Sequence, residues 1–127
     1  MSPEKQQAII EHYVDAYNRF DVEAMLRDLA PEILFQNVSN GKVDLELKGL
    51  SAFLQQAETA KAIFSERKQS ITAWEFAEEI VRIKIDYMGV VALDLPNGLK
   101  AGDKLALQGQ SEFTFADGKI IQLIDRA

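Results

Sequence analysis

The sequence predicts an α+β fold: three helices in the N-terminal half wrap a cone-shaped, curved antiparallel sheet around an apolar pocket. Three observations predict it. Apolar residues recur at helical spacing in three stretches, all before residue 67. Strand-like alternation of apolar and polar residues fills most of the chain after them. The pairs Asn40-Gly41 and Asp117-Gly118 sit between strand-like stretches, where they close hairpins.

Ser2-Pro3-Glu4 opens the first helix. Ser2 caps free N–H groups, Pro3 suits the first turn, and Glu4 suits the positive end of the dipole. Ile10, Tyr13, Val14 and Tyr17 make its apolar stripe, with Glu11, Asp15 and Arg19 off it. Asp21 caps a short second helix carrying Val22, Met25, Leu26 and Leu29, and Pro31 ends it. Ile33 to Val38 reads as a strand, and Val43, Leu45 and Leu47 mark its half-buried return. Gly49 breaks that return strand. The third helix runs from Leu50 to Glu66, with Phe53, Leu54, Ala57, Ala60 and Phe64 in its stripe. Four strands follow: Gln69 to Phe76, Ile80 to Leu95, Lys104 to Phe115 and Lys119 to Asp125. Long antiparallel strands twist and coil, and helices over one face of such a sheet leave space between the layers. Pockets commonly form there.

The 127 residues fit one domain spanning 1–127, and 47% hydrophobic residues supply its core. The absence of cysteine excludes disulfides, thiolate metal sites and cysteine nucleophiles. The one histidine, His12, lies beside Glu11 and near Asp15 on the polar side of its helix, and zinc sites take several His or Cys ligands. The expectation is therefore no metal and no organic cofactor. A net charge of −6 without a basic stripe argues against nucleic acid and anionic membrane as partners. No stretch approaches the roughly 18 apolar residues of a membrane span. The opening Met1-Ser2-Pro3-Glu4-Lys5 has no apolar signal region, so the expected setting is the cytoplasm. Asn37-Val38-Ser39 spells a glycosylation acceptor, which without a secretion signal is read as coincidence.

Several segments together resemble a known family. They are Tyr13-Val14-Asp15-Ala16-Tyr17-Asn18, Phe20-Asp21-Val22, Leu29-Ala30-Pro31-Glu32, Gly49 before the third helix, and Phe113 to Ile120. Their order and spacing are similar to nuclear transport factor 2-like proteins, a superfamily that includes ketosteroid isomerase and the SnoaL-like polyketide cyclases. The resemblance implies a cone of bent sheet closed by helices, and a homodimer packed through the outer sheet face. It also implies roles for single residues. Tyr13 matches the isomerase's oxyanion donor. Asn37 stands where the isomerase has its general base, and Ser111 where it has a protonated aspartate. An amide cannot take up a proton near neutral pH, so steroid isomerisation by that route is rejected.

Strand parity places Leu105, Leu107, Ser111, Phe113 and Phe115 on the inner face. The register of the family places Ile121, Leu123 and Asp125 there too. The expected lining comprises Tyr17, Phe35, Asn37, Phe53, Trp74, Ile85, Tyr87, Ser111, Phe113 and Leu123, around an apolar small molecule. Trp74, the one tryptophan, is read first as a packing residue and only second as a stacking platform. The expected catalytic pair is Tyr13 and Asp125. A carboxylate at the mouth of an apolar pocket has a raised pKa and can serve as acid or base. Its place two residues from the end of the sequence also suits a solvated side chain. Two functions stay open: acid-base catalysis on an apolar, oxygen-bearing compound, or a non-catalytic ligand-binding or dimeric assembly module. Fold alone does not choose between them.

Overall fold

The computed structural model describes residues 1–127. Helix α1 (Pro3–Asn18) starts where Ser2 accepts a hydrogen bond from the Lys5 N–H at 3.2 Å. It buries Ile9, Ile10, Tyr13, Val14 and Ala16. Helix α2 (Val22–Leu26) is capped by Asp21, whose carboxylate accepts from the Ala24 N–H at 3.0 Å. Helix α3 (Leu50–Lys61) buries Phe53 and Ala57, while Leu54 turns outward. No helix is long and apolar enough to cross a membrane.

The strands are β1 (Leu29–Ser39), β2 (Lys42–Lys48), β3 (Phe64–Ala77), β4 (Ile80–Val91), β5 (Lys104–Ala116) and β6 (Lys119–Arg126). They form one sheet in the order β2-β1-β6-β5-β4-β3. Both predicted hairpin turns are present. Asn40 and Gly41 have φ of 53° and 75°, and Asp117 and Gly118 have 51° and 77°. Such paired positive values match the twist of the flanking strands. One junction departs from the antiparallel expectation: β1 and β6 are parallel, so the sheet is mixed. Hairpins force neighbours to run antiparallel, but no hairpin joins β1 to β6.

Several boundaries and the facing of one residue differ from the sequence reading, through contacts distant in sequence. Strand β1 begins at Leu29, which pairs with Ile120. Pro31 therefore lies inside the strand. It falls where the register jumps between Leu29 and Leu34, so its missing N–H breaks no ladder bond. Helix α3 ends at Lys61, because Phe64 pairs with Val91 and starts β3. Strand β4 stops at Val91, and the Val91 N–H bonds Asp103 O at 2.9 Å to close the loop that follows. On β6, Ile120 rather than Ile121 points into the core. A bulge between Thr114 and Phe115 shifts the β5–β6 register and reverses parity beyond it.

Helix α1 is pinned across the sheet at both ends. Near its start, buried Gln6 donates Nε2 to Glu78 O at 2.7 Å. At its end, Asn18 donates to Gln69 O at 3.0 Å and accepts from the Gln69 N–H at 2.7 Å. Between them Tyr13 meets Phe113 edge-on, with ring centroids 6.0 Å apart. Phe113, Phe115, Ile120, Leu123 and Val81 fill the layer beneath α1.

Candidate functional site

Strand pairing lines up one row of residues across the whole sheet. Leu45, Asn37, Asp125, Ser111, Ile83 and Trp74 are successive partners on β2, β1, β6, β5, β4 and β3. Paired residues share a face, so this row stands on the inner side. The neighbouring row contains Phe35, Leu123, Phe113 and Val81, all buried. On the other side of the row the sheet and helices part. A cavity of about 500 Å³ opens there, lined from α1 by Tyr13 and Tyr17, from α3 by Phe53 and Ala57, and from the sheet.

Asp125, Asn37 and Ser111 therefore meet at the boundary between packed core and cavity. Ser111 is buried and its hydroxyl donates to Asp125 Oδ1 at 2.6 Å. Burial pushes the Asp125 carboxyl up to about 6, and the Ser111 hydrogen bond works against that rise. An ionised carboxylate loses hydration here, while a hydroxyl donor favours the ionised form. Asp125 is thus not a freely solvated chain end. Ser111 and Asn37, which could have bonded each other, instead flank it on β5 and β1.

Tyr13 faces the cavity, and burial raises its pKa well above the ordinary value, with the Asp125 charge adding to the rise. Its hydroxyl stays protonated and can donate. Tyr17 and Tyr87 form a second polar group, with hydroxyls 2.9 Å apart and both pKa values raised chiefly by burial. Phe35 and Phe53 pack edge-on at 5.4 Å, and Ile85 continues the wall.

Three residues expected on the lining do not reach it. Phe113 and Leu123 lie beneath α1 with 1% and 0% exposure, on the core side of the boundary row. Trp74 stacks on Phe76 at 5.6 Å on the edge strand β3, away from the cavity. Phe113 is inward by parity as read, but Tyr13 of α1 packs over it. Among the lining residues that were not foreseen are two polar ones on β3. Arg67 is 5% exposed and lines the cavity, although it stands between Glu66 and Lys68 in what reads as a charged surface run. Gln69 lines it too. His12 bonds Ala24 O at 3.1 Å and ties α1 to α2. No three His, Cys, Asp or Glu side chains converge.

A six-stranded mixed sheet with three helices over its inner face, and a cavity between the layers, is a cone-like α+β architecture. The chain belongs to the SnoaL-like domain family of the nuclear transport factor 2-like superfamily, which matches residues 10–123. A candidate polyketide cyclase from Xanthomonas campestris pv. campestris has the same fold at 21% identity. It covers 98% of this chain and 90% of its own, with a TM-score of 0.83. AclR, a candidate hydroxylase from Streptomyces galilaeus, superposes with a TM-score of 0.79 at 18% identity, over 98% of this chain and 89% of its own. A protein with a ketosteroid isomerase-like fold from Catenulispora acidiphila, in complex with trimethylamine, gives a TM-score of 0.76 at 16% identity, over 98% of this chain and 85% of its own. Comparison with curated proteins gives no match.

Proposed function

We propose that the protein holds an apolar, oxygen-bearing small molecule in its cavity and that Asp125 transfers a proton on it. The observation that carries this reading is the Ser111–Asp125 pair at the cavity boundary, 2.6 Å apart, with the carboxyl pushed up to about 6. Apolar character of the cavity is supported by its lining, in which 15 of 27 residues are hydrophobic. Membership of a family with candidate cyclases among its structural neighbours supports a small-molecule substrate. So does trimethylamine in one neighbour.

The chemistry follows from the geometry. A carboxyl with a pKa near 6 is mostly ionised at neutral pH, yet is a stronger base than an ordinary aspartate. Ser111 holds Oδ1, which leaves Oδ2 to take a proton from carbon beside a substrate carbonyl. Negative charge then develops on the carbonyl oxygen. The Tyr13 hydroxyl, and the Asn37 amide beside Asp125, are the donors available to stabilise it. The base would come from β6, not from the β1 position that Asn37 occupies.

Proton exchange tests this without knowledge of the natural substrate. Apolar cyclic ketones such as 2-tetralone are incubated in D2O, and deuterium uptake beside the carbonyl is followed by mass spectrometry. The wild type should accelerate uptake, and Asp125→Asn should return it to the buffer rate. Equal acceleration by the variant would remove Asp125 from the reaction. A non-catalytic binding module is the second reading, favoured because no histidine lines the cavity and its one other side-chain carboxyl, on Asp44, is exposed at the rim. It predicts ligand binding with no exchange in either protein. Pairing of two copies through the outer sheet face, tested by light scattering, completes the proposal.

A further inference from the structure

Arg67 is the one buried cation, and it has no counter-ion. It is 5% exposed, and none of the ion pairs of the molecule includes it. Asp125 does not serve, because its carboxylate accepts from Ser111 and forms no ion pair with Arg67. The guanidinium is held rigidly. Nε donates to Tyr17 O at 2.9 Å, at the last turn of α1. Its plane lies over the Tyr17 ring at 3.7 Å and near the Phe20 ring at 4.5 Å. Those contacts use one donor and the faces of the group. Nη2 is left with no hydrogen-bond partner. A buried charged donor without a partner is costly, and native proteins seldom keep one without use.

The surroundings are those of an anion-binding pole. Arg67 lines the cavity together with Tyr17, Tyr87 and Gln69. In the Tyr17–Tyr87 pair one hydroxyl donates to the other, so the second O–H remains free to donate. Burial keeps both hydroxyls protonated. A cation and a free hydroxyl donor thus face the same space, with Asp125 on the boundary row nearer the core.

We propose that Arg67 binds an anionic carboxylate of the ligand, so that the cavity takes apolar molecules carrying one carboxylate. The inference deepens the reading of the cavity as a small-molecule site and rests on it. A charge-assisted hydrogen bond to a desolvated guanidinium is strong, and no charge in the protein competes for it. The carboxylates of Asp125 and of Asp44 at the rim oppose such a ligand, and Arg126 favours it. The test must separate these.

Isothermal calorimetry at constant pH and salt would compare aromatic carboxylates of one, two and three fused rings with the corresponding neutral carboxamides. For the best-fitting pair, such as 2-naphthoate against 2-naphthamide, the carboxylate should bind roughly tenfold or more tightly. Arg67→Met should erase that preference while the carboxamide still binds, and Arg67→Lys should keep part of it. In the wild type, the Arg67 Nε–H NMR signal should shift on adding 2-naphthoate and not on adding 2-naphthamide, a readout that needs no variant to fold. Equal binding of the two compounds overturns the role of Arg67 and leaves the cavity reading standing. Loss of preference in Arg126→Gln instead of Arg67→Met also overturns it, by moving the anion site to the rim. Failure of every compound to bind overturns both readings together.

Discussion

The Ser111 hydroxyl donates to Asp125 Oδ1 at 2.6 Å because the two residues are cross-strand partners on β5 and β6. The relation is set by backbone pairing, so the carboxyl is held in place before any ligand arrives. One hydroxyl favours the anion, while burial opposes it more strongly.

Removing that hydroxyl should raise the Asp125 pKa further. In Ser111→Ala the donor that favours the ionised form is lost, and burial acts alone. The carboxyl resonance of Asp125, followed by carbon NMR against pH, should titrate above the wild-type midpoint. The same midpoint in both proteins would show that the hydrogen bond does not form in solution.

Stability should depend on pH through the same group. The folded-state pKa of about 6 lies above the ordinary 3.8, so the folded protein binds the proton more tightly than the unfolded chain. The resulting stabilisation is complete below pH 3.8 and is lost as pH rises through about 6. Asp125→Asn has no charge to bury. It should be more stable than the wild type at pH 7.5, by on the order of 1–3 kcal/mol, and should lose that advantage at pH 4. Urea unfolding at the two pH values reads the difference.

Gly89 keeps the aromatic wall in place. A β-carbon there would come within 2.9 Å of the Phe64 ring and 3.2 Å of Tyr87. Phe64 and Tyr87 themselves pack edge-on at 6.0 Å, so neither ring has room to retreat freely. Gly89→Ala should destabilise the fold by roughly 1–3 kcal/mol through overpacking. Chemical denaturation measures it, and a loss of 2-naphthamide affinity in calorimetry would accompany displacement of the rings.

The hydroxyl pair can be separated from its rings. Tyr17→Phe leaves the Tyr87 hydroxyl without its partner at 2.9 Å and should cost about 1 kcal/mol in urea unfolding. Tyr87→Phe should cost a similar amount, and the double variant less than the sum. Additive losses would mean that the two hydroxyls do not interact.

Local signals in the sequence located most elements. Asn40-Gly41 and Asp117-Gly118 are tight turns because their chemistry tolerates positive φ, whatever surrounds them. Phe64 misled for the opposite reason. It continues the helical spacing of Phe53, Ala57 and Ala60, yet Val91 draws it into the sheet, and no local pattern records that partner. The inward-facing residue of β6 changed with the bulge beside Phe115, since one extra residue reverses parity. In the site, Tyr13, Asn37, Ser111 and Asp125 were legible from motif and parity. Arg67 was not, because burial of a charge inside Glu66-Arg67-Lys68 depends on where α1 ends.

The measurement that bears most directly on Asp125 as a proton carrier is the titration of its carboxyl carbon in the wild-type protein. A midpoint near 6 is the predicted result, since burial at the cavity boundary outweighs the Ser111 hydrogen bond. A midpoint at the ordinary 3.8 would mean that the carboxylate is solvated in the folded protein, and would contradict its assignment as the acid-base group.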